Sequence, residues 1–218
     1  MNVTLIQSPD HPVELIAKIA SICYDSEPKN PEKLVKRLYE NGHHSVFEHV
    51  WFTFLIEGIS RACSHQLVRH RMAAITQRSQ RYCDEWMFEY VIPDSITEDS
   101  TVTWKYNDGI EKANDIYNTL IEKYEISKED ARYILPNACT TSLYFSCNLR
   151  ELIHIANERL CSRAQWEIRQ AVREMVKLVD PDIRWMLKPK CLSGFLICNS
   201  PCASFADNLI EEDKDENH

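Results

Sequence analysis

Between Gly58 and Cys83 the chain carries five arginines, Arg61, Arg69, Arg71, Arg78 and Arg81, together with His65 and His70. The same stretch holds no lysine and no carboxylate, although acids outnumber bases over the whole chain. A guanidinium is a planar fork of N–H donors that suits phosphate, carboxylate or the edge of a pyrimidine. Five of them repel one another unless an anion balances the charge. That anion could be a bound phosphate compound, or acids brought in from distant parts of the chain, and charge alone leaves both readings open. A third use of the cluster, a single-stranded nucleic-acid-binding module with Tyr82 and Trp86 as stacking platforms, fits the residue types. It fits poorly with a net charge of −8. Further along, Leu149, Leu152, Ile153, Ala156 and Leu160 form one apolar helical stripe, and Arg159 lies at its edge. From there Arg159 can aim inward, or lay its stem on the core and keep its head in water. Ser79 stands between Arg78 and Gln80 with no base nearby, so a nucleophilic serine is disfavoured.

Glycine is scarce, with four in 218 residues, Gly42, Gly58, Gly109 and Gly194. A phosphate-cradling loop needs several within a few positions, so neither a dinucleotide-binding G-x-G-x-x-G nor a P-loop can be present. Any nucleotide must be held mainly by side chains. With no apolar run long enough for a span and no basic-then-apolar leader, we expect a cytoplasmic protein with no membrane partner. The acidic balance argues against nucleic acid as a partner. Nine cysteines without C-x-x-C spacing read as reduced thiols, and Cys191, Cys198 and Cys202 lack a nearby histidine, so no metal site is expected.

These residues need elements to hold them. Strands are expected at 2–7, 50–57, 86–92 and 140–147. Helices are expected at 12–23, at 31–41 behind an Asn30 cap and Pro31, at 60–70, at 98–125, after Ser127 as a capping box with Asp130, and at 148–179 with a break. The fold class is therefore α+β, a single domain over 1–206 with a central mixed sheet flanked by long helices. Residues 207–218, rich in acids, read as a disordered tail.

The string Arg69-His70-Arg71, seven residues, then Ser79 resembles the R-H-R-x7-S signature of the flavin-dependent thymidylate synthases. Gly42-His43-His44-Ser45-Val46-Phe47-Glu48-His49 is similar to that family's G-H-x-S-V-x-E-H block, and Ile59–Gln66 to the lead-in to the signature. Ala131–Pro136 resembles A-R-x-x-L-P. Asn148-Leu149-Arg150 and Ala164–Arg169 resemble N-x-R and A-Q-W-E-I-R, with Arg159 between them. The matches run in order from about residue 42 to 170.

The resemblance implies synthesis of dTMP from dUMP, a methyl transfer. The one-carbon unit would come from methylenetetrahydrofolate and the electrons from NADPH through FAD. It implies Arg159 as the group that activates the uracil and His43 as a catalytic candidate that places a ring near the pyrimidine. Ser45, Arg69, His70, Arg71, Gln77, Asn148, Arg150 and His154 would meet the flavin. Gln66, Arg69, Gln77, Arg78, Ser79, Gln80, Arg81, Arg132 and Arg159 would surround dUMP. It further implies a homotetramer with shared active sites. Three positions depart from the family's usual pattern. Gln77 stands where many members carry Glu, Gln80 where a small residue is common, and Arg163 in place of a frequent histidine. No cysteine falls on a position that the resemblance marks as catalytic.

Overall fold

A computed structural model describes residues 1–25, 27–193 and 198. The expected acidic tail, and Cys202 of the C-terminal cysteine set, lie outside the described residues. In chain order the elements are β1 (Asn2–Gln7), α1 (Pro12–Ser21), α2 (Pro31–Glu40), β2 (Trp51–Ser60), α3 (Arg61–Leu67), β3 (Ala73–Gln77), α4 (Asp94–Thr97), α5 (Ser100–Glu122), α6 (Lys128–Ala131), β4 (Thr140–Asn148), α7 (Leu149–Arg159), α8 (Trp166–Lys177) and α9 (Pro181–Arg184). The strands pair in the order β1-β2-β4-β3. The sheet is antiparallel, so the α+β class holds with a simpler sheet than the mixed one expected.

Cα packing gathers the chain into two compact units. The first takes residues 1–2, 56–69 and 75–144. In it Phe88, Ile110 and Cys139 form a small core with Tyr90, Tyr106, Leu135 and Ala138 against it. Asp99 starts α5, its carboxylate accepting from the N–H groups of Thr101 at 2.7 Å and Val102 at 3.3 Å. Ser60 starts α3 in the same way, its Oγ accepting from Cys63 N at 3.0 Å. The strand expected at 86–92 is not formed. Met87 takes φ of +50°, which breaks an extended run, and only Tyr90 makes a bridge, to Cys139. Strand β3 was not foreseen, because its five residues, Ala-Ala-Ile-Thr-Gln, are too short and too weakly apolar to signal.

The second unit takes residues 3–55, 70–74 and the described residues from 145 onward. The stripe expected on α7 is buried throughout, and the expected helical break falls between α7 and α8. There Gln165 caps α8, its Oε1 accepting from Glu167 N and Ile168 N, both at 3.1 Å. Helix α2 begins as expected, with Asn30 Oδ1 accepting from Lys33 N at 2.8 Å and Pro31 in the first turn. It ends on Gly42, at φ of +74°. Gly42 N donates to Tyr39 O at 3.1 Å and His43 N to Leu38 O at 2.9 Å, the paired bonds of a Schellman ending. That ending leads into a 3-10 turn, His44–His49, which packs against α7.

Candidate active site

In the first unit the arginine run meets acids from outside itself. Arg78, at the end of β3, forms a very short ion pair with Glu85 and donates through Nη2 to Asp84 O at 2.9 Å. Glu85 is almost wholly buried, at 3% exposure. Burial pushes its carboxyl above the usual range, while Arg78 and Arg61 pull it back. Arg81 is held by Glu129 through two bonds, Nε to Oε1 and Nη2 to Oε2, each 3.0 Å. Arg132 donates to Glu129 O at 3.0 Å. Arg61 spends its Nη2 on Arg78 O at 2.9 Å, and burial lowers its basicity. The reading of arginines paired with distant acids therefore holds for Arg81, whereas the acid that meets Arg78 stands just beyond the end of the run.

Ser79 does not point to a base. Its Oγ accepts from Arg81 N at 3.2 Å and its carbonyl from Cys83 N at 2.9 Å, a turn that follows β3. Gln77 donates through Nε2 to Ser64 Oγ at 2.9 Å and Thr141 Oγ1 at 3.3 Å. Gln80 reaches Cys139 Sγ at 3.7 Å. Burial raises that thiol to about 11, so it stays protonated and is no nucleophile at neutral pH. Gln66, on α3, is half-buried. Arg69 is exposed, and no ion pair engages it among the described residues.

The second unit builds a tighter group. Arg159, in the last turn of α7, donates through Nε to His70 Nε2 at 3.0 Å. A guanidinium can only donate, so Nε2 must be the acceptor and the ring proton sits on Nδ1. That Nδ1 lies 3.5 Å from Glu151 Oε1, the long limit of a hydrogen bond. His154 meets the His70 ring edge-on, centroids 5.9 Å apart. Burial first, then Arg159 and His154, push the His70 pKa down to about 4, so the ring is neutral at physiological pH. Glu151 is mostly buried, which raises its carboxyl, and His154 opposes that shift.

His70, Glu151 and His154 bring ligand atoms within 4.8 Å of one another. A divalent cation there would displace the Nδ1 proton and turn an N–H at Nε2 against the Arg159 donor. The guanidinium also opposes a second positive charge.

The remaining candidates in this unit are dispersed. Asn148 is the N-cap of α7, its Oδ1 accepting from Glu151 N at 2.9 Å. Arg150 is exposed and pairs at very short range with Glu48 from the 3-10 turn. Arg71 and Ser45 are exposed. His43 lines a cavity of about 260 Å³ with Leu34, Arg37, Leu38 and Asn41. No hydrogen bond, ion pair or ring contact joins His43 to His70 or Arg159 among the described residues. The sequence reading missed Glu151, Glu85 and Glu129. The spacing Asn148-x-x-Glu151 is a capping-box signal that would have drawn attention to the first.

A family model described as thymidylate synthase complementing protein matches residues 4–182. The chain is also 37% identical over 222 residues to a flavin-dependent thymidylate synthase of Clostridium tetani, with 89% of each chain covered. The chain belongs to the flavin-dependent thymidylate synthase family. It is similar too to the family's Pyrococcus furiosus member, 41% identical with 88% of this chain and 87% of that one covered. Among solved structures it resembles the flavin-dependent thymidylate synthase ThyX of Helicobacter pylori, described as complexed with FAD and dUMP. The TM-score is 0.71 at 21% identity, covering 86% of this chain and 98% of that one. At that identity the likeness speaks for the fold. No helix among the described residues is long and apolar enough to cross a membrane.

Proposed function

We propose that this chain makes dTMP from dUMP, with methylenetetrahydrofolate as one-carbon donor and NADPH, through FAD, as reductant. Membership of the flavin-dependent thymidylate synthase family supports the activity. The observation in the structure that carries the reading is the guanidinium of Arg159, oriented by a neutral histidine of the R-H-R cluster.

In the overall conversion dUMP, methylenetetrahydrofolate, NADPH and a proton give dTMP, tetrahydrofolate and NADP+. The C5–H proton is released, the folate's methylene carbon bonds to C5 as its bond to the folate nitrogen breaks, and one hydride completes the methyl group. For C5 to act as a nucleophile, electron density must be pushed into the uracil ring. A guanidinium that donates toward the ring's N3 and its neighbouring carbonyl stabilises that electron-rich form. Arg159 Nε is spent on His70, so its Nη groups are the ones we assign to the pyrimidine. The phosphate of dUMP is assigned to Ser79, Gln80 and Arg81 with Arg78 and Arg132, and Gln66 and Gln77 to the rest of the nucleotide. The backbone N–H groups at 79–81 add to that grip.

The residues present fit FAD by their chemistry. With four glycines in the whole chain, side chains must hold its pyrophosphate, and Arg69 and Arg71 are exposed guanidiniums with no ion pair among the described residues. Arg150 and His154, one turn apart on α7, with His70, Ser45, Gln77 and Asn148, complete the set we assign to it. When bound, the flavin would relay hydride equivalents from NADPH. His43 is assigned to the folate or flavin ring. We also propose a homotetramer whose active sites are shared between subunits, a cytoplasmic location, and one family domain over 1–206. The nucleic-acid alternative gains nothing, since two of its arginines already face carboxylates.

The test is a visible spectrum of the purified protein followed by dUMP-dependent turnover. We expect a flavin band and dTMP formation. Arg159→Ala should keep the flavin and NADPH oxidation while dTMP formation falls steeply. A colourless protein that ignores FAD and binds RNA would overturn the proposal.

A further inference from the structure

The bond from Arg159 to His70 depends on which ring nitrogen carries the proton, and among the described residues Glu151 is the carboxylate that stands on the other side of that ring. Arg159 Nε requires an unprotonated Nε2 at 3.0 Å. The proton is then on Nδ1, inside a pocket where His70 is 6% exposed. A buried donor without an acceptor is costly, so something must receive that N–H. Glu151 Oε1, at 3.5 Å from Nδ1, is the group that can. His154 packs edge-on against the ring, centroids 5.9 Å apart, and no hydrogen bond joins the two rings among the described residues.

Glu151 is itself well fixed. It occupies the third position of α7, where its backbone N–H is bound by the Asn148 side chain at 2.9 Å. Its side chain is 11% exposed, so few rotamers are open to it. Arg159 lies on the same helix, eight residues on. One helix thus carries both the group that sets the histidine and the group that the histidine orients.

We propose that Glu151 is a positioning residue, which holds His70 as the Nδ1–H tautomer and so fixes Arg159 in its orientation. Glu151 touches neither substrate nor flavin in this scheme, and it acts only through the imidazole. Without it, the buried Nδ1–H loses its acceptor, the ring samples the Nε2–H form, and that form repels the Arg159 donor. The consequence for turnover rests on the function proposed above. The tautomer does not.

The experiment is NMR of the flavin-loaded full-length protein carrying 15N-labelled histidine. His70 is assigned by the signal lost in His70→Gln. The wild type should have protonated Nδ1 and bare Nε2 at neutral pH. Glu151→Ala should move the His70 signals toward the Nε2–H form and lower kcat for dUMP by about tenfold, the scale of one lost charge-assisted hydrogen bond. Glu151→Gln, whose amide oxygen still accepts, should keep the wild-type tautomer and most of the rate. A role confined to folding would not give that rescue.

An Nε2–H tautomer in the wild type overturns the proposal without any variant, so the test survives even if Glu151→Ala does not fold. Unchanged His70 signals in a folded Glu151→Ala overturn it as well. A shifted tautomer with undiminished dTMP formation upholds the positioning and removes Arg159 from the reaction instead, which separates this inference from the function beneath it.

Discussion

Acid should weaken the fold through His70 in a way that one substitution can isolate. The ring is buried, accepts from Arg159 and lies edge-on to His154, and these push its pKa from 6.5 to about 4. The groups that face it are Arg159, His154 and Glu151, with Cys147 close to Glu151. A histidine whose folded pKa is depressed stabilises the fold fully above its unfolded value, and that contribution is lost as pH falls toward the folded one. At about 1.4 kcal/mol per pH unit, the whole effect is about 3 kcal/mol, of which about 2 kcal/mol falls between roughly pH 7 and pH 5. The variant for comparison is His70→Gln, whose side-chain oxygen can still accept from Arg159 but cannot titrate. Urea unfolding of both proteins at matched concentration, at the two pH values, isolates the histidine, because every other group titrates in both. The wild type should lose about 2 kcal/mol more than the variant on acidification. Equal losses would mean that His70 is not held neutral by burial and Arg159, and the geometry argued for Arg159 would fall with it.

Three further outcomes are expected. Asn148→Ala removes the cap on α7, whose Oδ1 receives Glu151 N at 2.9 Å, and should lower the stability of the flavin-free protein by about 1 kcal/mol in urea; a residue used for flavin alone would leave it unchanged. Glu129→Gln releases Arg81, and since both partners are about half exposed the gain is small. Calorimetry should find dUMP bound up to about fivefold more tightly, as a surface pair is worth no more than about 1 kcal/mol, and weaker binding would mean that Glu129 serves the substrate. Substituting Cys63, Cys83 and Cys161 together with alanine should leave dTMP formation measurable, and its complete loss from a folded, flavin-bearing protein would bring back a cysteine mechanism.

The elements that the sequence announced were those with punctuation. Asn30, Pro31 and Gly42 bracket α2, and each does the physical work expected of it, as acceptor, as preset φ and as left-handed stop. The stripe on α7 needed only periodicity. Failures came where local pattern and tertiary demand disagree. Residues 86–92 place aromatic side chains at 86, 88 and 90 as a strand would, yet Met87 turns into the left-handed region and donates its N–H to Asn114 Oδ1 at 3.2 Å. A side chain on α5 thus helps to hold the conformation that breaks the run. The five residues of β3 had the reverse problem. Their ladder partners on β4 are some seventy residues away, and no local signal carries that pairing. Ser127 caps α6 with its backbone, and its Oγ goes to the Asp130 carboxylate at 3.2 Å, so the capping-box spacing was right and the bond that it implies is not made.

At the site, residue types were legible and partners were not. The arginine run looked unbalanced because the acids that balance part of it stand just beyond its end, at Glu85, or on another element, at Glu129. Once Arg78 and Arg81 are paired and Arg61 is half-buried and bound to a carbonyl, the electrostatic case for a bound anion narrows. It rests on Arg69 and Arg71, both exposed, and neither in an ion pair among the described residues. These two flank His70, whose own ring is buried and neutral. One tripeptide therefore divides its labour. Its outer residues are exposed, and under the proposed function they offer charge to an anion, while its middle residue is buried and accepts from Arg159. A histidine at that centre can do this only while it stays uncharged, so the same burial that hides it from the sequence reader also makes it useful.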